Sequence, residues 1–158
     1  MMDWAKKIDL KERVLGSLLI STAFVVFGFY GVRFWQSQLG ASVFYTVESP
    51  VIIEFAKYKP CDTVRIFLVR HSTIDSQGQS SRQLLFLTTD QGEEVKGRQD
   101  VPVTIDPGTK QIITTFNLPC DLPEGNYYIR ATIEFTVDGF EKFAPWHTQT
   151  FTISKNGQ

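Results

Sequence analysis

The stretch GNYYIRATIEFTVDGF, residues 125–140, alternates between two kinds of side chain along most of its length. Tyr127, Ile129, Ala131, Ile133, Phe135 and Val137 fall on one face of an extended chain; Tyr128, Arg130, Thr132, Glu134, Thr136 and Asp138 fall on the other. A period of two with one apolar face predicts a strand covering a core on one side only. Asp138-Gly139 tolerates positive φ at both positions, so it predicts a two-residue hairpin turn into a returning strand from Phe140 to Ile153. Pro145 has no N–H for a ladder and marks a bulge or an edge in that strand.

The same rhythm continues toward the N-terminus. Gln111 to Leu118 alternates Ile112, Thr114, Phe116 and Leu118 against polar neighbours, after a turn at Pro107-Gly108. Val101 to Ile105, Gln83 to Thr89, Thr63 to His71 and Ser42 to Phe55 complete seven segments. Residues 42–154 are therefore expected to form one all-β domain, a seven-stranded antiparallel sandwich, with 155–158 as a short tail.

Leu122-Pro123-Glu124-Gly125-Asn126-Tyr127-Tyr128-Ile129 resembles the turn and penultimate strand of immunoglobulin-like and fibronectin-type domains, where a glycine precedes the tyrosine that caps a corner between strands. The resemblance implies that Tyr127 is the corner tyrosine and that Ile129 holds the core position a cysteine takes in antibody domains. No tryptophan lies in the third strand, and neither cysteine is in mid-strand. The resemblance is thus to the looser bacterial, phage and receptor Ig-like class.

Strand direction alternates, so Cys61, before the second strand, shares an end of the sandwich with Cys120, before the sixth. A disulfide there suits a compartment outside the cytoplasm and would contribute roughly 4 kcal/mol by closing about sixty residues. The alternative is a pair of half-buried thiols. The same end carries the loops Ala56 to Pro60, Asp90 to Asp100 and Leu118 to Glu124; the opposite end carries Ser72 to Ser81 and Asp138-Gly139. Exposed loops on a rigid scaffold are usual recognition sites, which puts Tyr58 and Lys59 among possible interface residues. Phe143 and Trp146 join them if the last strand is an exposed edge; otherwise their rings fill the core.

A different pattern precedes this domain. Val14 to Val32 is nineteen residues without a charge, close to the roughly 30 Å that a helix needs to cross hydrocarbon. Tyr30, Phe34 and Trp35 stand where aromatic rings favour the membrane interface, and Arg13 and Arg33 flank the run itself as further interface residues. A cleaved secretory signal has a shorter apolar region and small residues at the cut, whereas Leu39-Gly40-Ala41 offers a leucine. A core helix would show a polar face, and here only Ser17, Ser21 and Thr22 are polar, each able to bond back to its own helix. Lys6, Lys7, Lys11 and Arg13 lie before the run and only Arg33 soon after it, which keeps the N-terminus cytoplasmic. The expected layout is a cytoplasmic tail at 1–13, a transmembrane helix at 14–35 contacting membrane lipid, a linker at 36–41 and the sandwich in the periplasm or exterior.

Little in the chain points to catalysis. His71 and His147 lack metal-ligand spacing, so no metal and no cofactor is expected. Ser72 beside His71 is no triad, Glu93-Glu94 sits among Lys96 and Arg98 as a solvated pair, and Gly78, Gly92 and Gly97 form no phosphate cradle. From residue 42 onward eleven Lys and Arg face fourteen Asp and Glu, which opposes nucleic-acid binding. The expected function is a non-enzymatic, single-pass membrane protein displaying an Ig-like domain to other protein subunits, as a structural or accessory part of an envelope or virion membrane complex. A tethered sandwich binding a small ligand or lipid, and a membrane-anchored hydrolase, are the alternatives.

Overall fold

The computed structural model describes residues 3–75 and 81–155 of the chain, the side chains of 3–13 and of Lys96 excepted. It has two compact units, a single helix and a β-domain that starts at Gly40. Helix α1, Asp3–Gln38, contains a stretch from Val14 to Gln38 with mean hydropathy 1.9, long and apolar enough to cross a membrane. None of that stretch is buried, unlike the core helix of a soluble domain. The hydroxyls of Ser17, Ser21 and Thr22 donate to the carbonyls of Val14, Ser17 and Leu18 at 3.0, 2.8 and 2.7 Å, so these side chains satisfy themselves within the helix. The helix runs through residues 36–38 of the expected linker, because Gln36, Ser37 and Gln38 carry nothing that stops helical bonding before Gly40.

A short 3₁₀ turn at Ala41–Val43 leads into the strands: β1 Tyr45–Val47, β2 Ile52–Ile53, β3 Lys57–Tyr58, β4 Thr63–Ser72, β5 Ser81–Thr89, β6 Glu94–Val103, β7 Gly108–Asn117, β8 Gly125–Val137, β9 Phe140–His147 and β10 Phe151–Ile153. One sheet pairs β1 and β2 with one side of β4, and β7 with the other. The second runs β6, β5, β8, then β9 and β10 in succession along the far side of β8, with β3 parallel to β10. The two inner faces meet in one core. Val64 and Ile66 of β4 and Phe116 of β7 pack with Leu85, Leu87 and Ile129 from the other sheet, all fully buried. At about 1.5–3 kcal/mol for each such side chain, this packing is the main stabilising term of a sandwich-like fold.

Among the described residues ten strands replace the expected seven, and the differences have local causes. The first expected strand, Ser42 to Phe55, breaks between β1 and β2 around Pro50, which follows a cis peptide and has no N–H for the ladder. Its continuation crosses from one sheet to the other: Ile52 and Ile53 pair with β4, and Lys57 and Tyr58 with β10. The last expected strand breaks at Thr148, whose Oγ1 accepts from Ile129 N at 3.0 Å while its own N–H donates to Ile129 O at 2.9 Å. A side chain thus takes a ladder position there.

The expected loop Asp90 to Asp100 is a loop only to Glu93; from Glu94 the chain is the edge strand β6. Edge strands are commonly charged, and a charged strand reads as a loop. Opposite Leu85 and Leu87 of β5 this strand bulges, and Gly97 adopts φ +142 there with Pro119 Cγ 3.2 Å from where a Cβ would stand. The hairpin at Asp138-Gly139 has φ of 52 and 85, the pair of left-handed residues that such a two-residue turn requires. Of the expected loop Ser72 to Ser81, residues 76–80 lie outside the described residues, as do 156–158 of the C-terminal tail.

Candidate interaction surface

At one end of the β-domain, Cys61 and Cys120 form a disulfide with Cα atoms 4.4 Å apart. The surrounding backbone is tied as well: Cys61 N donates to Pro119 O and Leu118 N to Asp62 O, at 3.4 and 2.9 Å. Beside it the Tyr127 hydroxyl donates to Pro123 O at 3.0 Å, four residues upstream, and its ring passes close to Gly125. Burial pushes the Tyr127 phenol above its ordinary value, so it stays a protonated donor. Tyr127→Phe keeps the ring and removes one hydrogen bond; it is expected to cost about 1 kcal/mol, read as a lower urea midpoint at unchanged slope.

The four residues considered for an interface separate into two pairs. Trp146 is 6% exposed and Tyr58 is 5% exposed, both within the core. The Tyr58 ring meets Phe151 edge-on at 5.4 Å, and its hydroxyl accepts from Phe55 N at 3.0 Å. Neither ring is available as a surface anchor. Phe143, three residues before Trp146 and on the opposite face of β9, is 52% exposed, and Lys59 is exposed in its loop. On α1, Tyr30, Phe34 and Trp35 are exposed, and the Arg33 guanidinium lies 5.2 Å from the centre of the Phe29 ring. The side chain of Arg13 lies outside the described residues.

Phe143 flanks a gap between the two sheets. β9 pairs with β8 along its length, and β1 pairs with β4; no ladder among the described residues joins β1 to β9. Further along the same side, Val51 bridges to Thr148, and the chain then passes from β2 in the first sheet to β3, which pairs with β10 in the second. What remains is a recess of about 440 Å³ lined by Ala41, Ser42, Tyr45, Thr46, Val47, Phe143, Ala144 and Pro145. On its other side the Phe143 ring borders a second recess with Arg82, Glu134 and Glu141. Arg82 is ion-paired with Glu134 directly across the strand pair, and Glu134 is in turn opposite Phe143. The pair with Glu134 raises the Arg82 pKa further, so its charge is constant.

The histidines stand apart. His71 Nδ1 is 3.0 Å from Thr109 Oγ1, and the His147 ring meets Tyr128 edge-on at 6.3 Å. His147 and Tyr128 line a shallow depression on the outer face of the second sheet together with Arg130 and Pro145. Sequence reasoning missed several polar residues of the interior, among them Arg70 and Gln83, each 3% exposed. The signal was present, since Arg70 continues the inward register of Val64, Ile66 and Leu68, and Gln83 that of Leu85 and Leu87.

The molecule is thus a β-sandwich-like domain preceded by one helix able to cross a membrane. No protein-family model matches the chain, and no curated protein sequence does. Solved structures match it over part of its length. The C-terminal domain of Wzt matches with a TM-score of 0.48 at 12% identity, over 70% of this chain and 71% of that one. The sporulation control protein Spo0M from Bacillus subtilis matches with a TM-score of 0.40 at 20% identity, over 70% of this chain and 49% of that one. A family 123 glycoside hydrolase from Clostridium perfringens matches with 0.35 at 11% identity, over 70% and 27%.

Proposed function

We propose that this chain is a non-enzymatic, single-pass membrane protein whose Ig-like domain holds other protein subunits on the side of the membrane away from the cytoplasm, as a structural or accessory part of an envelope or virion membrane complex. The Ig-like assignment draws support from the two-sheet arrangement, three strands facing five when β1 with β2, and β9 with β10, are each counted as one interrupted strand, the fifth being the two-residue β3. The bond from Tyr127 to Pro123 O supports it too. The lysines and arginines before Val14 support a cytoplasmic N-terminus.

The observation that carries the protein-binding reading is the unbridged space between β1 and β9 with the exposed Phe143 ring beside it. Strand edges that face each other without a ladder suit an extended segment of another chain, which would add backbone hydrogen bonds while Phe143 supplies an apolar anchor. A photo-reactive residue placed at Phe143 or Thr46 in native membranes should give one discrete protein adduct, and the same probe at Thr115, on the far strand β7, should give none. Absence of adducts from Phe143 and Thr46 refutes the surface. Added protease reaching the β-domain in intact spheroplasts is the expected topology; complete protection there refutes the orientation.

A further inference from the structure

Between the sheets, on the core side of β4 and β5, the interior turns from apolar to polar. Arg70 and Gln83 point inward there, and with Tyr45, Leu68, Val103, Thr104, Ile105 and Ile112 they line a recess of about 170 Å³. The Arg70 guanidinium is nearly sealed from solvent, and its compensation is thin. One Nη donates to Thr104 O at 3.3 Å, and the same nitrogen stands 4.0 Å from Asp106 Oδ2. That carboxylate is already held by Lys110 Nζ at 2.6 Å, so one anion serves two cations. The Tyr45 ring lies 5.8 Å from the guanidinium carbon, a weak cation–π contact, and its neutral phenol oxygen also interacts with Arg70 but brings no counter-charge.

The donors then outnumber the acceptors. Arg70 Nε and Gln83 Nε2 are both buried without a hydrogen-bond partner. The Tyr45 phenol is bonded to Arg70, and burial pushes its pKa up to about 12 despite the pull of that cation, so it too keeps its proton. A buried donor without a partner costs about 1–3 kcal/mol, more when it carries charge, and a buried cation with an incomplete counter-charge costs further. An acceptor of negative charge relieves both costs at once. The walls of Leu68, Ile105 and Ile112 select against a fully hydrated inorganic ion and in favour of a ligand with an aliphatic part.

We propose that this recess is a binding site for a carboxylate on a short aliphatic chain, with the carboxylate oxygens accepting from Arg70 Nε and Gln83 Nε2 and the chain lying against Leu68, Ile105 and Ile112. The site is distinct from the surface at Phe143 and does not depend on the protein-binding reading. A free monocarboxylate and a glutamate side chain of another protein offer the same chemistry. About six waters' worth of space admits either one, at roughly 30 Å³ for each water.

The test uses the full chain in detergent micelles, with ¹⁵N-labelled arginine and glutamine side chains followed by NMR. Butyrate should shift an arginine Nε–H signal and one glutamine amide pair saturably, while butanol and inorganic phosphate should not. Glutamate blocked at both backbone ends separates the two sources: tighter binding than butyrate points to a protein side chain, weaker binding to a free acid. Gln83→Leu, close in volume, should weaken binding about ten- to a hundredfold. Ile112→Phe, which narrows the recess without touching a donor, should abolish it, with the fold of both variants checked by circular dichroism. No saturable shift with either carboxylate, equal shifts with butanol, or unchanged affinity in both folded variants overturns the proposal and leaves water as the occupant.

Discussion

Trp146→Ser is expected to destabilise the β-domain by about 3–5 kcal/mol, whereas Phe143→Ser, three residues away on the same strand, is expected to change stability by less than about 0.5 kcal/mol. The two rings differ in surroundings. Trp146 is buried among core residues of both sheets, so its loss removes a large apolar area and leaves a cavity that the strands cannot collapse to fill. Phe143 lies on the outer face, already half in water. Urea unfolding of the full chain in detergent, followed by the β-sheet dichroism, measures both. If the proposed protein-binding surface holds, Phe143→Ser should also lose the cross-linked adduct while remaining folded. Two variants of equal stability would remove the distinction between core and surface on β9.

Reduction of the Cys61–Cys120 bond, or its replacement by alanines, should cost about 4 kcal/mol in the chain-entropy model, for a separation of 59 residues. A domain of this size is stable by about 5–15 kcal/mol, so the loss is a large fraction of the whole. The bond joins the approach to β4 with the approach to β8, strands that belong to different sheets. Opening it allows the unfolded chain many more conformations, while the folded ladders persist. Urea midpoints with and without dithiothreitol give the difference directly; coincident midpoints would mean that the bond constrains nothing the ladders do not already hold.

Both results depend on features of unequal visibility in the sequence. The alternation in β8 was legible because each residue reports its own face: Tyr127, Ile129, Ala131, Ile133 and Phe135 are all buried. The Asp138-Gly139 turn was legible because positive φ demands particular residues. β6 was not, since an edge strand facing solvent has no apolar period to display. Nor was β3, two residues long, whose one ladder partner among the described residues is β10, almost a hundred residues away. The same alternation makes Lys142 a core-face residue, between Phe140 and Ala144 on β9, although lysine is usually read as surface.

By itself the sequence determined the apolar helix, the all-β character of the domain after it, the hairpin at Asp138-Gly139 and the end of the domain where two cysteines can meet. These depend on periodicity, length and local backbone preference, which neighbouring residues settle among themselves. The tertiary structure alone decided that the first strand crosses between sheets, that β1 and β9 face each other unbridged, that Trp146 turns inward while Phe143 turns outward, and that Arg70 and Gln83 meet with spare donors. Each of those is a relation between segments far apart in the chain, set by how two twisted sheets pack and by which polar groups that packing leaves without partners.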